Sequence, residues 1–167
     1  MRVDCLKESE TMEEIKVIFL DVDGVLNNEN HILKLVELLG KEQYFQLHKD
    51  LGEMPFDYQS CILLHGLINK TGAEVILSST WRISTEHIEA LEKFAGIKIK
   101  DKTPVSYTKR GREIQQYLNA HNEITNYVII DDDDDMLEEQ KSHFVKVDAK
   151  TGLTMAEVVE CERILSL

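Results

Sequence analysis

Short apolar runs alternate along the chain with longer stretches in which apolar residues return every three or four positions. The first run, Ile15-Lys16-Val17-Ile18-Phe19-Leu20, is rich in β-branched and aromatic residues and stops where carboxylates begin. Glu74-Val75-Ile76-Leu77, 127–130 and 144–147 read as further buried strands, and 97–99 as a short one. Between them lie amphipathic helices. Cys61, Leu64, His65 and Ile68 share one helical face that ends at Thr71-Gly72. Ser84 or Thr85 caps a helix carrying Ile88, Leu91 and Ala95, which stops at Gly96. Ile114, Tyr117 and Leu118 place a helix over 110–121. Thr154, with Glu157 as capping-box partner, opens a last helix that buries Val158, Cys161 and Leu165. Pro104 keeps 102–109 a loop. Strand and helix alternate throughout, which predicts an α/β, Rossmann-like parallel sheet flanked by helices on both faces.

The stretch 28–55 departs from that rhythm. Ile32, Leu35, Val36 and Leu39, then Tyr44, Leu47 and Leu51, fall at helical spacing, with Gly40 and Gly52 as helix ends and Pro55 as the close. It reads as a small helical insertion. Residues 1–14 show no period. At 167 residues the expectation is one domain spanning 1–167.

Composition narrows the function classes. A net charge of −12 repels polyanions at long range and argues against a broad nucleic-acid-binding face, while a local basic pocket stays open. No run is apolar for long enough to span a membrane, and the polar start lacks a signal peptide's apolar region, so a cytoplasmic location is expected. Cys5, Cys61 and Cys161 are widely spaced and odd in number. They read as reduced thiols, with Cys61 and Cys161 packed in helices, and offer no zinc site. His65 has no acid or cysteine at ligand spacing and reads as a packed helix residue.

The chemistry collects at strand ends. Asp21 and Asp23, two apart, can aim into one space, and Gly24 after them permits a sharp turn. In open α/β sheets, ligands bind at the carboxyl ends of the strands. The run 131–135 places five aspartates directly after another apolar strand. Such carboxylates raise one another's pKa unless a cation intervenes. Asp131 and Asp132 therefore suit Asp21 and Asp23 as partners around a hard divalent metal, and an all-oxygen set favours Mg2+. The other three aspartates read as solvated or as caps of the next turn. Ser78, Ser79 and Thr80 terminate the second strand and could hold a phosphoryl oxygen. Trp81 reads either as a packed aromatic or as a substrate-facing one, and Arg82 beside it suits anion binding. Lys109, Arg110 and Arg112 concentrate positive charge at a helix start, where the dipole does not favour it.

Taken together these residues resemble the haloacid dehalogenase-like (HAD) phosphohydrolase superfamily. Asp21-Val22-Asp23-Gly24-Val25 is similar to its first motif and Ser78 to its second. Lys109 or Arg110 stands for its basic third motif, and Asp131-Asp132 for its acidic fourth. More narrowly, Leu77-Ser78-Ser79-Thr80-Trp81-Arg82, Arg110-Gly111-Arg112-Glu113-Ile114 and Thr151-Gly152-Leu153-Thr154 resemble the HAD domains of Swiss Army Knife RNA-repair proteins. The resemblance implies a HAD-type fold with a small cap at 28–55. It also implies an Mg2+-dependent phosphatase acting on a phosphomonoester, with nucleic-acid ends or another large phosphorylated substrate admitted. Asp21 would be the nucleophile and Asp23 the acid and base. Ser78 would bind a phosphoryl oxygen, and Lys109 or Arg110 would offset charge. The metal would be held by Asp21, the Asp23 carbonyl and Asp132, with Asp131 as second choice. A phosphotransferase or a silent metal-binding regulatory domain is the alternative.

Overall fold

The computed structural model describes residues 14–51 and 56–167. Cys5 and the lead-in, and Gly52 and Pro55 as the expected end of the insertion, lie outside the described residues. Strands β1 (Ile15–Leu20), β2 (Glu74–Leu77), β3 (Ile99–Lys102), β4 (Ile124–Asp131) and β5 (Phe144–Lys146) form one sheet in the order β3-β2-β1-β4-β5. All the pairings are parallel. The order reverses beside β1, so the ends of β1, β2 and β4 open onto one crevice.

Alternation along the strands divides the core between two faces. Ile18, Leu20, Val75, Leu77, Val128 and Ile130 pack against α3 (Tyr58–Thr71) and α6 (Met155–Leu165). Val17, Phe19, Ile76 and Ile129 face α5 (Arg110–Ala120) through Ile114 and Tyr117. The capping box at the start of α6 is formed: Thr154 N–H donates to Glu157 Oε2 at 2.9 Å. Cys61 and Cys161 are buried free thiols, and burial pushes their pKa up to about 11 and about 12. His65 lies with Nε2 2.9 Å from the Ala95 carbonyl.

Two strand boundaries differ from the periodicity. Ile97 is fully buried, but its N–H donates to the Leu91 carbonyl and closes the preceding helix, so strand pairing starts only at Ile99. β3 then runs on through Lys100, Asp101 and Lys102, charges an edge strand tolerates. β4 begins at Ile124 because it pairs back to Ile15.

The insertion consists of α1 (Glu29–Leu39) and α2 (Lys41–Leu51) within the described residues. Gly40 ends α1, as its position suggests. The base is clamped to the core, where Asn28 Nδ2 donates to Asp57 Oδ2 at 2.6 Å and Asp57 N–H to the Leu26 carbonyl at 2.6 Å. Among the described residues no helix is long and apolar enough to cross a membrane.

Candidate active site

β1 ends one residue before Asp21, whose N–H still donates to the Ile130 carbonyl of β4 at 2.9 Å. That bond holds Asp21 in the sheet while the chain turns away after it. The turn is tight: Val25 and Leu26 N–H both reach the Val22 carbonyl, and Gly24 N–H donates to Asn27 Oδ1 at 3.0 Å. Gly24 has φ +75°, and a Cβ there would lie 2.6 Å from Asp132 Oδ2. A side chain there would be strained by the positive φ and would have to displace the Asp132 carboxylate, which lies beside the Asp21 loop.

Asp21, Asp131 and Asp132 each offer a carboxylate oxygen, and those atoms all lie within 4.8 Å of one another. Arg110, from the first turn of α5, donates to Asp21 Oδ1 at 2.6 Å and lies 3.1 Å from Asp131 Oδ2. Neighbouring Lys109 is exposed, and its side chain makes no hydrogen bond or ion pair among the described residues. Asp135, expected to be solvated or to cap its own turn, instead accepts the Arg110 main-chain N–H at 3.0 Å and so caps α5 from another loop.

Charge in this pocket is costly. Burial raises the pKa of Asp21, with Arg110 opposing it. Burial, then the charge of Asp21, pushes Asp131 up to about 7, and the same causes raise Asp132. Burial works against the Arg110 cation too, but Asp21 and Asp131 outweigh it and its pKa is raised. One guanidinium does not neutralise three carboxylates. Asp131 Oδ2 is buried, and its ion pair with Arg110 does not make it a hydrogen-bond acceptor among the described residues. An all-oxygen cluster of three carboxylates that shares one guanidinium fits a small hard cation.

A testable consequence concerns stability. An Asp131 that stays protonated to about pH 7 when folded, but only to 3.8 when unfolded, binds more protons in the folded state. Stability therefore falls as pH rises through that window, by an amount on the order of a few kcal/mol. A bound cation removes the penalty. We expect magnesium to raise the melting temperature more at about pH 8 than at about pH 5. An equal shift at both values would contradict the cation fit.

Asp23 lies outside the carboxylate cluster, with both its oxygens held. Asn27 Nδ2 donates to Oδ1 at 2.8 Å and Trp81 Nε1 to Oδ2 at 3.0 Å. Trp81 is 4% exposed and packs against Phe56 and His87, so it faces the acid and not the solvent-open cleft. Ser78 and Ser79 are fully buried at the end of β2. The Ser79 hydroxyl accepts from Trp81 N–H and helps hold the Asp21 carboxylate. Ser78 Oγ is buried and has no hydrogen-bond partner among the described residues. Thr80, next along, is exposed.

Arg82 does not meet the expectation of an anion-binding residue. All five of its donors are engaged: Nε to Thr103 O, Nη1 to Ser78 O and Ser79 O, Nη2 to Pro104 O and to Glu113 Oε2 at 2.5 Å. A guanidinium with every N–H used has nothing left for an anion. It ties the end of β2 to the loop after β3 and to α5. Its partner Glu113 stands in the Arg110-Gly111-Arg112-Glu113-Ile114 motif with no role evident from the sequence, and the one signal for it is its place four residues before Tyr117, on the inward stripe of α5. Asn27, three residues past Gly24, carries no sequence signal of its bonds to Asp23 and Gly24.

The profile of the family described as the HAD domain in Swiss Army Knife RNA repair proteins matches residues 17–158. The chain belongs to this HAD domain family. No curated protein and no solved structure matches it. The match runs from β1 into α6, so it includes every strand and all of the acidic and basic residues described above. The five-stranded parallel sheet is the α/β Rossmann-like arrangement of a HAD domain. Family membership points to a HAD-type hydrolase, a class that generally uses magnesium.

Proposed function

We propose that this domain is a magnesium-dependent phosphatase that hydrolyses a phosphomonoester through an aspartyl-phosphate. One observation carries the reading: Asp21 sits at the carboxyl end of the central strand within reach of Asp131, Asp132 and Arg110, with Asp23 two residues on and oriented by two donors.

Asp21 attacks phosphorus, and the bond from phosphorus to the ester oxygen breaks. Asp23 gives its proton to the departing oxygen. It then takes one from the water that attacks the aspartyl-phosphate, returning Asp21 and inorganic phosphate. Ser78, with its free hydroxyl, donates to a phosphoryl oxygen, and Arg110 offsets charge building on the others. Arg110, and not Lys109, takes the third-motif role because it is the one that contacts Asp21. Asp21, Asp132 and Asp131 would hold magnesium, with the Asp23 carbonyl as a further oxygen, and the bound cation supplies charge neutralisation between nucleophile and phosphate. The insertion acts as a small cap that leaves the site open to a large substrate, such as the phosphorylated end of a nucleic acid. An overall charge of −12 favours the end of a polymer over its length. Two donors spent on orienting Asp23 speak for turnover over a silent binding role.

The test compares phosphate release from glycerol phosphate and nitrophenyl phosphate, with magnesium and with chelator, in wild type and Trp81→Phe. Phenylalanine keeps the ring and loses the N–H bonded to Asp23. A general acid matters most for a poor leaving group, so we expect about tenfold loss on the alkyl ester and little on the aryl ester. Release that survives chelation, or equal losses on both esters, would overturn the proposed roles.

A further inference from the structure

A cleft of about 210 Å³ includes in its lining Arg110, the residue that contacts Asp21. Thr80, Thr108 and Asp133 give it polar walls, and the exposed Ile83, Val105 and Tyr107 an apolar lip. The lip residues are conspicuous for their exposure: 60% for Ile83, 41% for Val105 and 89% for Tyr107. Whole-ligand pockets usually hold ~300–1,000 Å³. This one suits only the leaving part of a substrate whose phosphate rests outside it, at Asp21.

Tyr107 is also the one non-glycine residue among the described residues with a positive φ, 55°. Such a conformation persists only where the surroundings impose it. Here they do. Ser106 N–H donates to Glu113 Oε1 at 2.9 Å, and the Ser106 hydroxyl lies 2.9 Å from that of Thr108. Glu113 is in turn fixed by Arg82, the residue before Ile83. The chain on both sides of the lip is therefore anchored on one buried ion pair, and the Tyr107 ring lies exposed on a fixed loop.

We propose that Ile83, Val105 and Tyr107 receive a flat ring on the leaving group, so that the preferred small substrate is a nucleoside monophosphate whose sugar meets the polar walls of the cleft. This rests on the phosphatase reading of the same site. A substrate that carries both hydroxyls and a planar ring matches a cleft that combines polar walls with an aromatic lip, and stacking on an exposed tyrosine is tolerant of which base it receives.

The experiment is calorimetric binding to the full chain carrying Asp21→Asn, which holds substrate unturned. The probes are adenosine monophosphate, ribose phosphate and phenyl phosphate. Adenosine monophosphate should bind about tenfold tighter than ribose phosphate, the low end of a stacked base's contribution. Adding Tyr107→Ala should erase most of that difference, and Tyr107→Phe should keep it. Equal binding of the two sugars, binding of neither, or a preference that survives Tyr107→Ala overturns the inference. Phenyl phosphate bound as tightly, with the same dependence on Tyr107, overturns the nucleoside assignment. The expected binding pattern in a protein that releases phosphate from no ester would uphold the cleft and defeat the phosphatase reading, so the two fail separately.

Discussion

Asp21→Asn should abolish turnover while leaving the fold intact. Asparagine keeps the shape of the side chain and a carbonyl oxygen able to accept from Arg110, now 2.6 Å away. It removes the negative oxygen that, in the proposed mechanism, attacks phosphorus. Loss of a covalent nucleophile in a concerted site reduces kcat by about 10⁴-fold or more. The effect on stability should have the opposite sign. Burial raises the pKa of Asp21, so its charge is a burden on the folded state, and the neutral amide relieves it. The checks are phosphate release from an aryl ester and a thermal melt without metal. Activity near zero with an unchanged or higher melting temperature is the expected result. More than about one per cent of wild-type turnover would remove Asp21 from the nucleophile's place.

What the chain discloses without its fold depends on the range of the physics involved. The existence of the strands and most helix limits follow from local periodicity and capping, as with Ser84 and Thr154, whereas the limits of β3 and β4 depend on pairing with distant segments. The sheet order is a property of crossovers, which no local pattern records. The start of α5 separates Lys109 from Arg110: Lys109 is the extended residue before the helix and Arg110 its first residue, and only the packing of α5 on the sheet says which faces Asp21. Arg82 misleads for a related reason. A cation next to a carboxylate cluster reads as a ligand group, whereas its partners Thr103, Pro104 and Glu113 come from segments 21 to 31 residues away. Trp81 reads as a packed aromatic or a substrate contact. It packs, and its one polar atom serves Asp23. Tyr107 gave no sign at all, because backbone sign and exposure are settled by the loop around it.

Glu113→Ala should be the most damaging change to stability. The Arg82–Glu113 contact is 2.5 Å, with side chains 4% and 5% exposed. Burial lowers the Arg82 pKa, and Glu113 is the largest influence restoring it. Without the carboxylate the guanidinium stays buried with four carbonyl partners and no counter-charge. Breaking a buried pair from one side typically costs about 3–5 kcal/mol. The Ser106 N–H and hydroxyl lose their acceptor as well, so the loop that carries Tyr107 should loosen. For a domain of this size that loss corresponds to a melting temperature lower by roughly 10 °C. Glu113→Gln keeps an acceptor and loses only the charge, and should fall between. Replacing both partners by methionine should cost clearly less than the two single losses added together, because neither charge is then stranded. A melt in which Glu113→Ala lies within about 1 kcal/mol of wild type would show that solvent reaches the pair, and that the end of β2 is held by its main-chain bonds alone.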